Sequence, residues 1–216
     1  MKNKKYLILS IILTVVSVLY TILVKTVDVR AIGPKGSKVG FATLNSLFKN
    51  IIGSNMTIYK ITEILGYLVF LLCLFYAIIG IYQLIKRKSL KEIDKQIYLI
   101  AGFYVLVLMV YILFEKLEIN YRPVLIDGEL EASFPSSHTV LSICVCLSSI
   151  MLSRKYMSKK YVDIVNVITI ILMLGVLIGR LISGIHWISD IIGGIIISMT
   201  LIMYFKTCLR YINHKN

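Results

Sequence analysis

Charged residues are scarce in this chain of 216 residues. They make up 16% of it, whereas they make up about a quarter of an average soluble domain. Hydrophobic residues account for 58%, and the mean hydropathy is +0.85. These values exclude an intrinsically disordered chain, a collagen-like repeat and a coiled coil. A soluble domain of this size cannot bury so much apolar surface, so the composition indicates an integral membrane protein.

Cysteine is also scarce, and the four cysteines have neither the spacing of a zinc site nor that of a disulfide framework. We therefore interpret them as structural thiols. The sequence has no internal repeat, no low-complexity linker and no signal-peptide cleavage pattern after its first apolar stretch. It predicts one membrane-embedded domain over residues 1–216, and nothing in it indicates a metal, a cofactor or an obligate protein partner.

Six apolar stretches are long enough to cross a bilayer as helices, which takes about 20 residues. They predict an all-α fold, a six-transmembrane helical bundle. The approximate bounds of the spans are 6–24, 61–85, 97–114, 138–153, 161–179 and 187–205. The fourth span is short, and we expect its helix to begin slightly earlier.

Basic residues predict the orientation of this bundle, because they concentrate in cytoplasmic segments. The net charge is +13, from 24 Lys and Arg against 11 Asp and Glu. With the N-terminus inside, fifteen of the 24 fall in cytoplasmic segments, and the long first outer loop holds six of the others. The charge therefore indicates topology and not a nucleic-acid partner. We expect a multi-pass protein of the cell membrane with both termini cytoplasmic.

Polar residues with useful chemistry lie at the ends of the last four spans, in the segments 115–123, 134–139 and 179–190. In a six-span chain with a cytoplasmic N-terminus, odd spans end at the outer face and even spans begin there. All three segments are therefore expected to meet at the outer membrane–water interface. Topology alone predicts a site there.

Two of these segments contain groups suited to nucleophilic chemistry and to anion binding. His186 and Asp190 are four residues apart, so on a helix the carboxylate can reach one imidazole nitrogen and leave the other free as a nucleophile. Ser136 and Ser137 follow Pro135, a pattern typical of a helix start, with a serine as N-cap. The free N–H groups of such a helix start bind phosphate well.

The remaining candidates supply an acid and positive charge. His138 lies in the first turn of that helix, beside any anion held there. Arg122 and Arg180 carry guanidinium groups suited to phosphate oxygens. The whole set predicts phosphoryl transfer without a metal, which needs a nucleophile, an acid and fixed positive charge.

These residues resemble the motifs of the type-2 phosphatidic acid phosphatase superfamily, which are integral-membrane lipid phosphatases. The family's motifs are a lysine, six residues and Arg-Pro; then Pro-Ser-Gly-His; then Ser-Arg, five residues, His, three residues and Asp. The matching residues here are Arg122-Pro123, then Pro135-Ser136-Ser137-His138, then Arg180, His186 and Asp190. The resemblance covers about residues 95–205, the expected catalytic core.

Three positions depart from the family pattern. Ser137 stands in the glycine place, Gly179 in the serine place, and Glu115 in the lysine place with Lys116 one residue later. One residue turns a side chain by about 100° around a helix. Either Lys116 adapts as a phosphate ligand, or another cation substitutes, or two arginines suffice.

The loop after the third span is acidic and bears on the substrate range. Its acidic residues are Glu118, Asp127, Glu129 and Glu131. They would repel an anionic head group unless they face away from it.

The resemblance implies a lipid phosphate or polyprenyl diphosphate as substrate. Because the site is expected at the outer interface, such a lipid could enter it sideways from the outer leaflet. The usual bacterial candidates are undecaprenyl diphosphate, phosphatidic acid and phosphatidylglycerol phosphate. Arg122, Arg180 and backbone amides near Ser136 and Ser137 would hold the phosphate.

The resemblance also implies a course of reaction that needs no metal. His186, oriented by Asp190, attacks phosphorus and becomes a phosphohistidine. His138 protonates the leaving oxygen and then deprotonates the water that releases phosphate.

Two other classes of protein share features with this sequence. Vanadium-dependent haloperoxidases share the superfamily's pocket. They are soluble proteins, and the six apolar spans of this sequence argue against that class. The second is a non-catalytic lipid-binding or transport protein with a decayed site, which the missing lysine and Gly179 would suit. His138, His186 and Asp190 at the family's spacing argue against decay.

Other polar residues of the spans have simpler interpretations. Glu63 is isolated near the start of the second span, and we interpret it as interfacial and not catalytic. Trp187 is interpreted as an interfacial anchor, and His214 as a solvated residue of the basic tail.

Overall fold

The protein is described by a computed structural model over residues 2–214, so the domain expected over residues 1–216 extends beyond it at both ends. The described residues form seven α-helices. They are α1 (Lys2–Thr26), α2 (Ala42–Ile52), α3 (Met56–Arg87), α4 (Lys95–Leu117), α5 (Ser137–Tyr156), α6 (Val162–Ile182) and α7 (Ile188–His214). Short 3₁₀ turns at Pro34–Gly36 and Leu90–Glu92 precede α2 and α4.

Six of these helices, all except α2, are long and apolar enough to cross a membrane. The six-span, all-α prediction is therefore confirmed. The fourth span begins at Ser137, slightly before the predicted start, as expected. The helices α3 and α7 run several residues past the predicted spans, because polar turns continue a helix beyond its apolar part.

The helices α5 and α7 form the centre of the bundle. In each of them 61% of the most apolar 18-residue stretch is buried inside the protein, against 11–22% of the corresponding stretch in the other four spans. The outer helices instead expose many large apolar side chains, the surface that lipid would cover. The buried face of α5 is rich in small residues, which let helices approach closely; they are Ser142, Cys144, Cys146, Ser148, Ser149 and Ser153.

The two ends of the bundle differ in what they contain. The helices α3, α5 and α7 begin at one end, where α4 and α6 finish. At the other end the cations of Lys206 and Arg210 lie 5.0 and 4.6 Å from the ring centre of Tyr6. The beginning of α1 and the end of α7 therefore lie together, at the end of the bundle opposite to the one where α5 and α7 begin.

The first loop, residues 25–60, contains the helix α2, which the sequence analysis treated as loop. Asn45 of α2 is fully buried against the start of α7. Its amide donates to Ser189 Oγ at 2.9 Å and to the carbonyl of Gly40 at 2.7 Å, and its Oδ1 accepts from the N–H of Ser189 at 3.2 Å. Because the first N–H groups of a helix lack partners within it, Asn45 caps α7 from another segment.

Replacing Asn45→Ala should destabilise the bundle, because it leaves buried polar groups unpaired at a cost of about 1–3 kcal/mol. We expect the thermal unfolding midpoint in detergent to fall by about 5 °C, given about 2–4 °C per kcal/mol for a chain of this size. Asn50→Ala, at an exposed position of the same helix, is the matched control and should shift the midpoint by less than about 1 °C. Equal midpoints for the two variants would contradict the capping role.

Candidate active site

The three segments at the span ends meet at the end of the bundle where α5 and α7 begin. The ring of His186, in the turn between α6 and α7, lies 3.1 Å by its Nδ1 from the carbonyl oxygen of Ser133, just before α5. The N–H of Ser136 donates to the carbonyl of Asp190 at 3.1 Å. Arg122, on the loop after α4, borders the same cavity as His186. The predicted convergence of these segments is therefore what the structure has.

His186 and Asp190 do not share a helical face, contrary to expectation, because α7 begins only at Ile188. Asp190 stands at the third helical position, and its carboxylate reaches back to accept from the N–H of Trp187 at 3.1 Å, as acidic residues there commonly do. The distance from Asp190 Oδ2 to His186 Nδ1 is 3.8 Å. The carboxylate is thus a near charge, while Ser133 makes the hydrogen bond to the ring.

The other nitrogen of His186, Nε2, is buried and has no hydrogen-bond partner among the described residues. Burial, together with the charges of Arg122 and Arg180, holds the pKa of His186 well below its usual range. The ring is therefore neutral at pH 7, with Nδ1–H donated to Ser133 and a lone pair on Nε2. This is the state that a nucleophilic histidine needs.

Two residues, Asn120 and Trp187, fix the start of α7 by hydrogen bonds. The sequence analysis missed the first and misinterpreted the second. Asn120 is fully buried; its amide donates to Asp190 Oδ1 at 3.1 Å, and its Oδ1 accepts from the N–H of Gly40 at 3.0 Å. Trp187 is buried and not an interfacial anchor, and its indole N–H donates to the carbonyl of Tyr121 at 2.6 Å. Asn120 lay within a segment of interest, but nothing in its spacing indicated a partner.

Glu63 belongs to this site, which corrects its interpretation as an isolated interfacial residue. Its Oε1 accepts a hydrogen bond from Nη2 of Arg180, a residue that is fully buried. Its Oε2 lies 3.4 Å from Nε2 of His138. In Arg180 the remaining donors, Nε and Nη1, are buried without a partner among the described residues.

The second arginine also has a carboxylate beside it. Nε of Arg122 lies 3.0 Å from Oε2 of Glu131, while its Nη1 is buried with no hydrogen-bond partner in the described chain. Glu131 therefore faces the site instead of facing away. Buried donors without a protein partner are rare in native proteins, so the free N–H groups of both arginines indicate room for an anionic ligand.

The start of α5 has the predicted N-cap, Ser136, but its side chain makes no capping hydrogen bond. Ser136 Oγ instead accepts from the hydroxyl of Thr139 at 3.0 Å. The first-turn N–H groups, which a helix leaves without internal partners, thus do not receive the serine oxygen. Ser136 is fully buried, and Ser137 borders the cavity with His138.

Two of the departures from the family motifs can be placed in the structure. Glu115 borders the cavity, whereas Lys116 is exposed in the last turn of α4 and does not line the cavity. A Cβ atom at Gly179 would overlap Cγ2 of Thr62 on α3. A serine in that place would therefore require the Thr62 side chain to shift.

A cavity of about 760 Å³ leads to these groups between α3, α4 and α5. Its walls are mostly apolar, and they include Phe70, Leu108, Phe114, Val140, Leu141 and Val145. Arg122, His138 and His186 lie at its polar part, together with the carboxylates of Glu115 and Glu131. The shape and chemistry suit a molecule with an apolar chain and a phosphate head.

Comparison with known proteins agrees with this geometry. The model of the PAP2 superfamily matches residues 41–214, a range that includes α3 and Glu63 as well as the expected core. The crystal structure of a transmembrane PAP2-type phosphatidylglycerolphosphate phosphatase from Bacillus subtilis is similar in fold. Its TM-score is 0.60 at 20% sequence identity, and the similarity covers 94% of this chain and 96% of that chain.

Among curated proteins, no sequence matches this chain significantly. The family match nevertheless spans most of the chain, and it agrees with the motifs and the six helices. The chain therefore belongs to the PAP2 superfamily and is a hydrolase of the phosphatase type.

Proposed function

We propose that this protein is a metal-independent lipid phosphatase that hydrolyses the terminal phosphate of a lipid phosphate or polyprenyl diphosphate through a phosphohistidine. The observation that carries this proposal is the neutral, buried Nε2 of His186, which has no hydrogen-bond partner among the described residues and lies beside a cavity with apolar walls that Arg122 also borders. The family supports phosphatase chemistry, and the cavity supports a lipid as its substrate.

The phosphate is held by Arg122, Arg180 and the first backbone N–H groups of α5 at Ser136 and Ser137. Both arginines keep buried N–H groups that have no partner among residues 2–214. A helix N-terminus adds a positive partial charge. Lys116 is exposed, so the two arginines carry the positive charge in this proposal.

The reaction has two steps. His186 Nε2 attacks phosphorus; the bond from phosphorus to the leaving oxygen breaks with its electron pair, and His138 donates its proton to that oxygen. His138 then takes a proton from water, whose oxygen attacks phosphorus and displaces His186 as inorganic phosphate forms. Asp190, 3.8 Å from Nδ1, stabilises the cation that develops on His186.

The proposed substrates are undecaprenyl diphosphate, phosphatidic acid and phosphatidylglycerol phosphate, of which the last is named for the similar Bacillus subtilis enzyme. Residues 1–216 form one membrane domain, with the site on the outer face and both termini cytoplasmic. The clustering of basic residues in the segments opposite to the site supports this orientation.

Phosphate release from these lipids by the detergent-purified protein should persist in EDTA and fall by more than about a thousandfold in His186→Ala, as in other enzymes that lose their nucleophile. His214→Ala, at an exposed position in the last turn of α7, is the control and should keep wild-type activity. Release that ends in EDTA would sink the metal-independent mechanism. No release by a folded wild-type protein would favour the decayed, lipid-binding alternative.

Glu115→Lys should strengthen substrate binding, because it replaces a negative charge on the cavity wall with a positive one. We expect the KM for phosphatidic acid to fall by about fivefold. That change corresponds to about 1 kcal/mol of added attraction between the new lysine and the phosphate. Glu129→Lys changes the net charge equally at an exposed loop position and should change KM by less than twofold. Equal effects of the two variants would show that general surface charge is responsible.

A further inference from the structure

Glu63, two turns into α3, bridges two residues of the proposed machinery. One carboxylate oxygen accepts from the guanidinium of Arg180, and the other lies 3.4 Å from Nε2 of His138. Arg180 is fully buried, while the Glu63 side chain keeps 31% of its surface exposed. Neither partner is near Glu63 in sequence, so α3 brings this carboxylate to the site by packing.

The same face of α3 makes two further contacts with these partners. Tyr59, one turn before Glu63, has its ring centre 4.9 Å from the guanidinium carbon of Arg180. One turn after Glu63, a Cβ atom at Gly66 would lie 3.0 Å from Cδ2 of His138. Positions 59, 63 and 66 lie on one helical face, so this face of α3 is fitted to both residues.

Two positive charges lie close to His138. Arg180 from α6 shares the Glu63 carboxylate with it, and Arg122 from the loop before α5 borders the same cavity. Glu63 from α3 has a carboxylate oxygen 3.4 Å from Nε2 of His138, and a negative charge at that distance favours the protonated imidazole. A general acid must hold its proton until the leaving oxygen takes it, and a carboxylate beside His138 serves that role.

We propose that Glu63 is a positioning residue of this phosphatase, an inference that rests on the proposed function. One oxygen fixes the Arg180 guanidinium for phosphate, and the other stabilises the protonated form of His138 when it donates to the leaving oxygen. Glu63 remains a carboxylate throughout. The proton passes from His138 to the leaving oxygen, and water returns a proton to His138 in the second step.

The test compares kcat/KM for phosphatidic acid, whose leaving alkoxide needs a proton, with that for 4-nitrophenyl phosphate, whose leaving group departs without one. Because kcat/KM covers the steps up to departure of the leaving group, loss of the acid lowers it for phosphatidic acid and not for 4-nitrophenyl phosphate. Glu63→Gln should lower kcat/KM for phosphatidic acid by about a hundredfold, within the range of general acid catalysis. For 4-nitrophenyl phosphate the loss should be at least about tenfold smaller.

Glu131→Gln is the matched control, because Glu131 holds the other arginine, Arg122, and not His138. It should change kcat/KM for both substrates by the same factor. Glu63→Asp restores the charge, so its ratio between the two substrates should return to within about threefold of the wild-type ratio. In a His138→Ala background, Glu63→Gln should cause no further loss that depends on the leaving group.

Equal losses for both substrates in Glu63→Gln, with an unchanged thermal midpoint, would overturn the inference. Higher activity in that variant would also overturn it, because it would make Glu63 an inhibitory counter-ion of Arg180. A wild-type protein that hydrolyses neither substrate would instead overturn the proposed function itself, and the two failures are thereby distinguished.

Discussion

The first turn of α7 holds a concentration of buried polar groups, and the geometry of the site follows from how these groups are paired. The carboxylate of Asp190 accepts from the N–H of Trp187 and the amide of Asn120, and its carbonyl accepts from Ser136. Asn45 caps the same turn from α2. Because a buried polar group without a partner costs several kcal/mol (about 2–7 in apolar surroundings), these bonds fix the first loop, the loop before α5 and α7 relative to one another.

The pairing of buried polar groups also fixes the ring of His186 in the state that its proposed role needs. One ring nitrogen is held by the carbonyl of Ser133, and the other, beside the cavity, has no partner in the part of the chain that the structure describes. Burial and two neighbouring arginines keep the ring neutral. Each arginine is in turn accompanied by a carboxylate, Glu63 or Glu131, so the positive charge of the site is partly balanced before any phosphate arrives.

Much of the fold could be predicted from the sequence, because a bilayer imposes a minimum apolar length and an alternating topology. These two facts gave the six spans and the end of the bundle at which the motif segments meet. Partners at the level of single atoms could not be predicted in this way. The helix α7 begins two residues after His186. Because of that small shift, the His186 ring bonds to the carbonyl of Ser133, and the Asp190 carboxylate accepts from a backbone N–H.

Glu63 shows the second limit of sequence reasoning. Its partner Arg180 is 117 residues away, and the family motifs place nothing at α3. The sequence places Tyr59, Glu63 and Gly66 at helical spacing. Which residues that face contacts depends on which helices pack against α3. The fit of Gly179 against Thr62 is likewise a tertiary fact, although it appears in the sequence only as a departure from a motif.

The central claim is that His186 becomes covalently phosphorylated, and acid–base stability of a trapped intermediate tests it most directly. The protein is mixed in EDTA with phosphatidic acid carrying a radiolabelled phosphate, quenched with alkali during turnover and digested for mass spectrometry. The account predicts label on His186 that survives alkali, is lost in acid and is absent from His186→Ala. Turnover without protein-bound label, or label that persists in His186→Ala, would contradict the account.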